Sequence, residues 1–150
     1  MTAQAPGYRE FHLDSPPRYI LLVEDDEATR EALTDLIELE TSYRVLAFGS
    51  AEAALQHLEE IKAADPFLFI LDLQLPGLNA LELSDRLCAI PEFAHHHAII
   101  VTAVTLDLAK ESAIDRRGLT LLRKPFDMEI LLDYIDQHSK DAVFNFGQLI

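Results

Sequence analysis

At 150 residues the chain has room for one domain, large enough to bury roughly 68–70% of its unfolded surface without disulfide or metal staples. Twelve Lys and Arg against 26 Asp and Glu give a net charge of −14, which would repel phosphate backbones and argues against direct nucleic-acid binding. The single cysteine, Cys88, cannot form an internal disulfide, no run approaches 18 apolar residues, and residues 1–18 lack an apolar h-region, so no membrane span or signal peptide is expected and a cytoplasmic setting is.

Residues 1–18 carry Pro6, Pro16 and Pro17 and read as a flexible N-terminal extension. The first apolar run, Tyr19–Val23, ends in Glu24-Asp25-Asp26. Helical spacing follows at Ala28, Ala32, Leu36 and Leu39, with Leu33 and Ile37 beside them. Val45–Phe48 is the second run, and Ser50 is a suitable N-cap for a helix through Ala51, Ala54, Leu55, Leu58 and Ile61. Phe67–Leu71 leads into Asp72, then a third helical stripe at Ala80, Leu83 and Leu87. His95, His96 and His97 read as exposed loop residues before the fourth run, Ala98–Val101. Thr102-Ala103 and a weak stripe at Leu106, Ala109 and Ala113 come next. Leu119–Leu122 precedes Arg123-Lys124-Pro125, and Asp127 caps a last helix with Met128, Leu131, Tyr134 and Ile135.

Pro66, Pro76, Pro91 and Pro125 all fall between elements. The string is a strand and a helix repeated five times, and continuous apolar strands imply a parallel sheet covered on both faces. Right-handed crossovers then favour a doubly wound α/β domain over residues 19–139 with strand order 2-1-3-4-5. Residues 140–150 add apolar Val143, Phe144, Phe146, Leu149 and Ile150. That tail has three readings: packing back on its own domain, a linker to an output module, or a homodimer contact.

In such a sheet, ligands bind beyond the carboxyl ends of the strands where strand order reverses, here between the first and third strands. Glu24-Asp25-Asp26 and Asp72 occupy those two ends. Carboxylates gathered there repel one another unless a cation intervenes, and oxygen-only ligands select a hard ion, magnesium before zinc. The fourth strand contributes the Thr102 hydroxyl beside small Ala103, and the fifth contributes the Lys124 ammonium, able to hold a phosphoryl oxygen.

Tyr19-Ile-Leu-Leu-Val-Glu-Asp-Asp-Glu, Leu71-Asp-Leu-Gln-Leu-Pro-Gly, Ile100-Val-Thr-Ala and Lys124-Pro-Phe, in that order, resemble the successive signatures of the response regulator receiver family. The resemblance covers about Tyr19 to Ser139 and implies a flavodoxin-like (βα)5 three-layer sandwich. It assigns Asp72 as phospho-acceptor, Asp25 as direct magnesium ligand and Glu24 as the acid that holds the ion through water. Gln74 falls where the family uses a backbone carbonyl, Thr102, Ala103 and Lys124 where it binds phosphoryl oxygens, and Pro76-Gly77 where the following loop turns. The implied activity is a signalling switch with weak self-catalysis. It takes its phosphoryl group from a sensor histidine kinase or phosphotransfer protein and acts through an output partner or output domain. An ionised carboxylate attacks without a general base, so the protein supplies positioning and electrostatics.

Two features depart from that pattern. Leu121 stands where the family carries an aromatic that follows the Thr inward, which leaves signal propagation through Thr102 and Leu121 open while sparing the phosphorylation chemistry. Residues 114–118 also lack the family's common Gly-Ala. Among rival classes, a haloacid-dehalogenase-like phosphatase needs a second Asp where this chain has Gln74. A flavodoxin-like FMN carrier needs a phosphate-binding loop where this chain has Glu24-Asp25-Asp26. A receiver-like scaffold that signals without phosphorylation is the remaining alternative.

Overall fold

A computed structural model describes residues 17–149, with side chains through Ser139; the expected extension at residues 1–16 and residue 150 lie outside it. The elements run β1 (Tyr19–Val23), α1 (Glu27–Glu40), β2 (Arg44–Phe48), α2 (Ala51–Gln56), α3 (Leu58–Ala64) and β3 (Leu68–Asp72). They continue with α4 (Ala80–Cys88), a 3-10 turn at Pro91–Phe93, β4 (His97–Thr102), α5 (Leu108–Arg116), β5 (Thr120–Arg123) and α6 (Met128–Leu149). The five strands form one parallel sheet in the order β2-β1-β3-β4-β5, as the alternation of elements predicts.

Alternation along the strands divides the core in two. Leu21, Val23, Phe69, Leu71 and Ile100 face one side and pack under Ala54, Ile61, Leu83, Leu87 and Ile114 of α2 to α5. Ile20, Leu22, Leu68, Ile70, Ile99 and Val101 face the other and pack under Leu33, Ile37, Leu131 and Ile135 of α1 and α6. Each of the Leu, Ile, Val and Phe side chains among them, fully buried, contributes about 1.5–3 kcal/mol of transfer free energy. Among the described residues no helix is long and apolar enough to cross a membrane.

Several local expectations are corrected. In α1 only Leu33 and Ile37 are buried, while Ala28 and Ala32 are exposed and Leu39 is 80% exposed. Leu39 lies beyond the strip of α1 that meets the sheet. The helix after Ser50 is broken at His57, whose backbone leaves the helical region (φ −116°, ψ 31°) as its ring Nδ1 donates to the Ala53 carbonyl at 2.8 Å. The weakly patterned helix is real: Asp107 caps it, and Ile114 is its buried anchor. It ends at Gly118, at φ +70°, where the Gly118 and Leu119 amides donate to the Asp115 and Ile114 carbonyls at 2.9 and 3.2 Å. That is a Schellman termination, and glycine is the residue that takes the left-handed position without strain.

Of the three histidines, His95 is exposed and His97 opens β4. His96 is half-buried, stacked on Phe69 at 5.6 Å and edge-on to Phe93 at 5.1 Å. The backbone of α6 continues past Ser139 to Leu149, so most of the expected tail extends the last helix.

Candidate functional site

Four strands deliver their ends to one edge of the sheet. Glu24 directly follows β1, and its amide donates to the Phe48 carbonyl at 3.1 Å, so the chain stays in register while the side chain turns inward; Glu24 is 2% exposed. Asp25 is exposed, and Asp26 caps α1 by accepting from the Thr29 amide at 2.9 Å. Asp72 is the last residue of β3, opposite Val101 of β4, and is 6% exposed. Carboxylate oxygens of Glu24, Asp25 and Asp72 all lie within 4.8 Å of one another.

Lys124 closes this group from the end of β5. Its Nζ lies 3.0 Å from Glu24 Oε1 and 3.6 Å from Asp72 Oδ2. Its amide donates to the Thr102 carbonyl at 2.7 Å, extending the β4–β5 pairing by one step, and the Lys124–Pro125 bond is cis. Thr102 is fully buried at the end of β4, and its hydroxyl accepts the Val104 amide at 3.2 Å; Ala103 beside it is exposed. The Gln74 side chain points to solvent while its amide donates to Asp72 Oδ1 at 2.9 Å. Gly77 turns the following loop at φ +73°. Leu121 does not join the site. It packs with the α2–α5 core and borders a cavity of about 500 Å³ with Leu108, Ile114, Leu119 and Arg123.

The electrostatics express one imbalance. Burial, the largest influence, pushes the Glu24 carboxyl above its ordinary 4.5; the Lys124 hydrogen bond pulls it back, and Asp72 pushes it up again. For Lys124, burial acts downward, but the Glu24 and Asp72 carboxylates outweigh it and hold the ammonium protonated above its ordinary 10.5. Glu24 rises chiefly through burial and Lys124 through its two carboxylate partners, Glu24 and Asp72, while the third carboxylate, Asp25, leaves the cluster with more negative than positive charge. That surplus of negative charge and the oxygen-only donor set fit a hard divalent ion.

Two charged side chains that sequence spacing does not single out reach the loops of the site. Arg30, one turn into α1, donates from Nη1 to the Glu24 carbonyl at 2.8 Å, and its Nη1 would lie only 3.1 Å from a Cβ at Gly49. Glu52 accepts from the Leu78 amide at 2.8 Å. A long polar residue facing a glycine or a loop amide leaves no periodic trace in sequence.

The sequence profile of the response regulator receiver domain matches residues 20–136. The chain belongs to that family. This receiver is 36% identical over 122 residues to response regulator protein FleR of Pseudomonas aeruginosa, covering 80% of the receiver and 24% of FleR. It is 31% identical over 120 residues to sporulation initiation phosphotransferase F of Bacillus subtilis, covering 79% of the receiver and 91% of that relative. It thus spans a quarter of one relative and nearly the whole of the other. Among solved structures, a response regulator receiver protein from Pseudomonas putida superposes with a TM-score of 0.72 at 25% identity, over 82% of this chain and 98% of that one. A receiver domain from Clostridium thermocellum, at 22% identity and a TM-score of 0.75 over 85% of this chain and 98% of that one, shares the fold. Receiver domains are switches in two-component signalling, working with sensor kinases or phosphotransfer proteins, and they generally bind magnesium at such an acidic pocket.

Proposed function

We propose that this receiver accepts a phosphoryl group on Asp72 from the phosphohistidine of a sensor kinase or phosphotransfer protein, and that the new charge switches its protein contacts. The observation that carries this reading is the convergence of Glu24, Asp25 and Asp72 within 4.8 Å, with the Lys124 ammonium 3.6 Å from Asp72. Magnesium would be held by Glu24, Asp25, Asp72 and the Gln74 main-chain carbonyl, and when bound would offset the repulsion between the incoming phosphoryl group and the carboxylates.

The chain's own groups do the rest. An Asp72 carboxylate oxygen forms the new P–O bond as the P–N bond to the donor imidazole breaks, the electron pair leaving on that nitrogen. Lys124 neutralises charge on the phosphoryl oxygens, and Thr102 can exchange its Val104 amide for one of them. Exposed Ala103 leaves room for the group. Hydrolysis of the acyl phosphate resets the switch.

Incubation with magnesium and acetyl phosphate, followed by intact-mass measurement, should add one phosphoryl group to wild type and none to Asp72→Ala. Equal labelling of the variant would move the acceptor elsewhere. Because the acids, Thr102 and Lys124 are all present, the scaffold reading has no observation in its favour.

A further inference from the structure

The loop that leaves Asp72, residues 73–79, is fastened at both ends. At its start the Gln74 amide donates to Asp72 Oδ1 at 2.9 Å. At its far end the Leu78 amide donates to Glu52 Oε2 at 2.8 Å, across 26 positions of sequence. Leu73 and Leu75, on either side of Gln74, are buried, and beyond Leu78 the residues Asn79 and Glu82 form a capping box on α4. Glu52 sits on the exposed first turn of α2 and takes no part in the carboxylate cluster. The approach depends on Gly77, where a Cβ would fall 2.6 Å from Glu52 Oε2 and where φ is +73°. The Leu78 amide is the chief reason the Glu52 carboxyl stays below its ordinary range, so the bond is made to the charged form.

We infer that Glu52 is a positioning residue: by holding the Leu78 amide it fixes loop 73–79 so that the Gln74 main chain stays turned toward Asp72. The inference rests on the proposed phosphorylation site, since its value to the protein is the placement of the Gln74 carbonyl toward the metal. The simpler role for such an acid is to complement the N-terminus of α2. The two roles separate cleanly, because Glu52→Gln and Glu52→Ala both remove the charge but only Ala removes the acceptor.

Magnesium affinity by titration calorimetry and Gln74 amide exchange in metal-free protein by NMR would test this. Glu52→Ala should weaken magnesium binding roughly ten-fold while Glu52→Gln stays within about two-fold of wild type, in line with other supports of metal ligands. Glu52→Ala should also speed exchange at Gln74, which Glu52 does not touch. Matching behaviour of the two variants, or an Ala variant indistinguishable from wild type, overturns the inference. Wild type that binds no magnesium would instead sink the phosphorylation reading, with Gln74 exchange still judging the tether.

Discussion

The two ends of the sheet are built from the same strands and treat charge in opposite ways. At the amino end, the Arg18 guanidinium lies 4.2 Å from the centre of the Phe67 ring and donates to Ser139 Oγ at 2.7 Å. Tyr43 donates its hydroxyl to the same oxygen at 2.6 Å and meets Phe67 edge-on at 4.9 Å. There a single cation is matched by aromatic faces and a hydroxyl, and the result is a clasp between the entry to β1 and α6. At the carboxyl end, Glu24 and Asp72 share Lys124, Asp25 is the third carboxylate of the cluster, and the surplus is left standing. The balanced end holds the fold; the unbalanced end, in the proposed function, has electrostatic work left to do when a cation and a phosphoryl group arrive.

Substitutions at each end should give effects that do not cross over. Asp72→Asn should abolish acyl phosphate formation, since the amide cannot form the acyl phosphate, with the unfolding midpoint in urea unchanged or raised. Lys124→Ala should slow phosphorylation from acetyl phosphate about a hundred-fold, the scale of losing one preorganised charge at a reacting oxygen. If the rate stays within a few-fold, the ammonium belongs to Glu24 and not to the chemistry. Arg18→Ala should cost about 1–2 kcal/mol in urea unfolding, through the lost cation–π contact and charge-assisted hydrogen bond. A changed phosphorylation rate in that variant would show that the two ends are mechanically linked.

The smallest effect concerns pH. Burial against Phe69 and Phe93 lowers His96 below its ordinary 6.5, with Asp65 pulling the other way. The unfolded chain therefore binds that proton first. His96's contribution is intact above 6.5 and is lost as pH falls toward the folded value. Thermal unfolding between neutral and mildly acid pH should show a loss below about 1 kcal/mol that His96→Phe removes. A variant with the same slope would place the titration elsewhere.

The strands and their order are legible in the sequence because each apolar run is continuous and each connection is helical. The acid cluster is legible for the same reason: strand ends in a doubly wound sheet share an edge, so Glu24, Asp25, Asp72, Thr102 and Lys124 could be placed without coordinates. What pattern could not supply depends on tilt, on breaks and on long-range polar contacts. Leu39 has the right spacing but misses the sheet, His57 interrupts a stripe that reads as continuous, and His96 finds its place only once Phe69 and Phe93 are packed beside it. Glu52 meets an amide whose position depends on the whole β3–α4 turn.

One detail of placement has mechanical weight. Asp72 is not a loop residue but the final rung of a central strand: it is opposite Val101, the next amide, Leu73, is bonded to the Val101 carbonyl at 2.8 Å, and the preceding Leu71 is opposite Val23. A group attached to its carboxylate pushes against an anvil. In the proposed function the backbone under the blow is clamped from both flanks, so recoil would pass outward along the rim, where the Thr102 hydroxyl can let go of the Val104 amide it accepts.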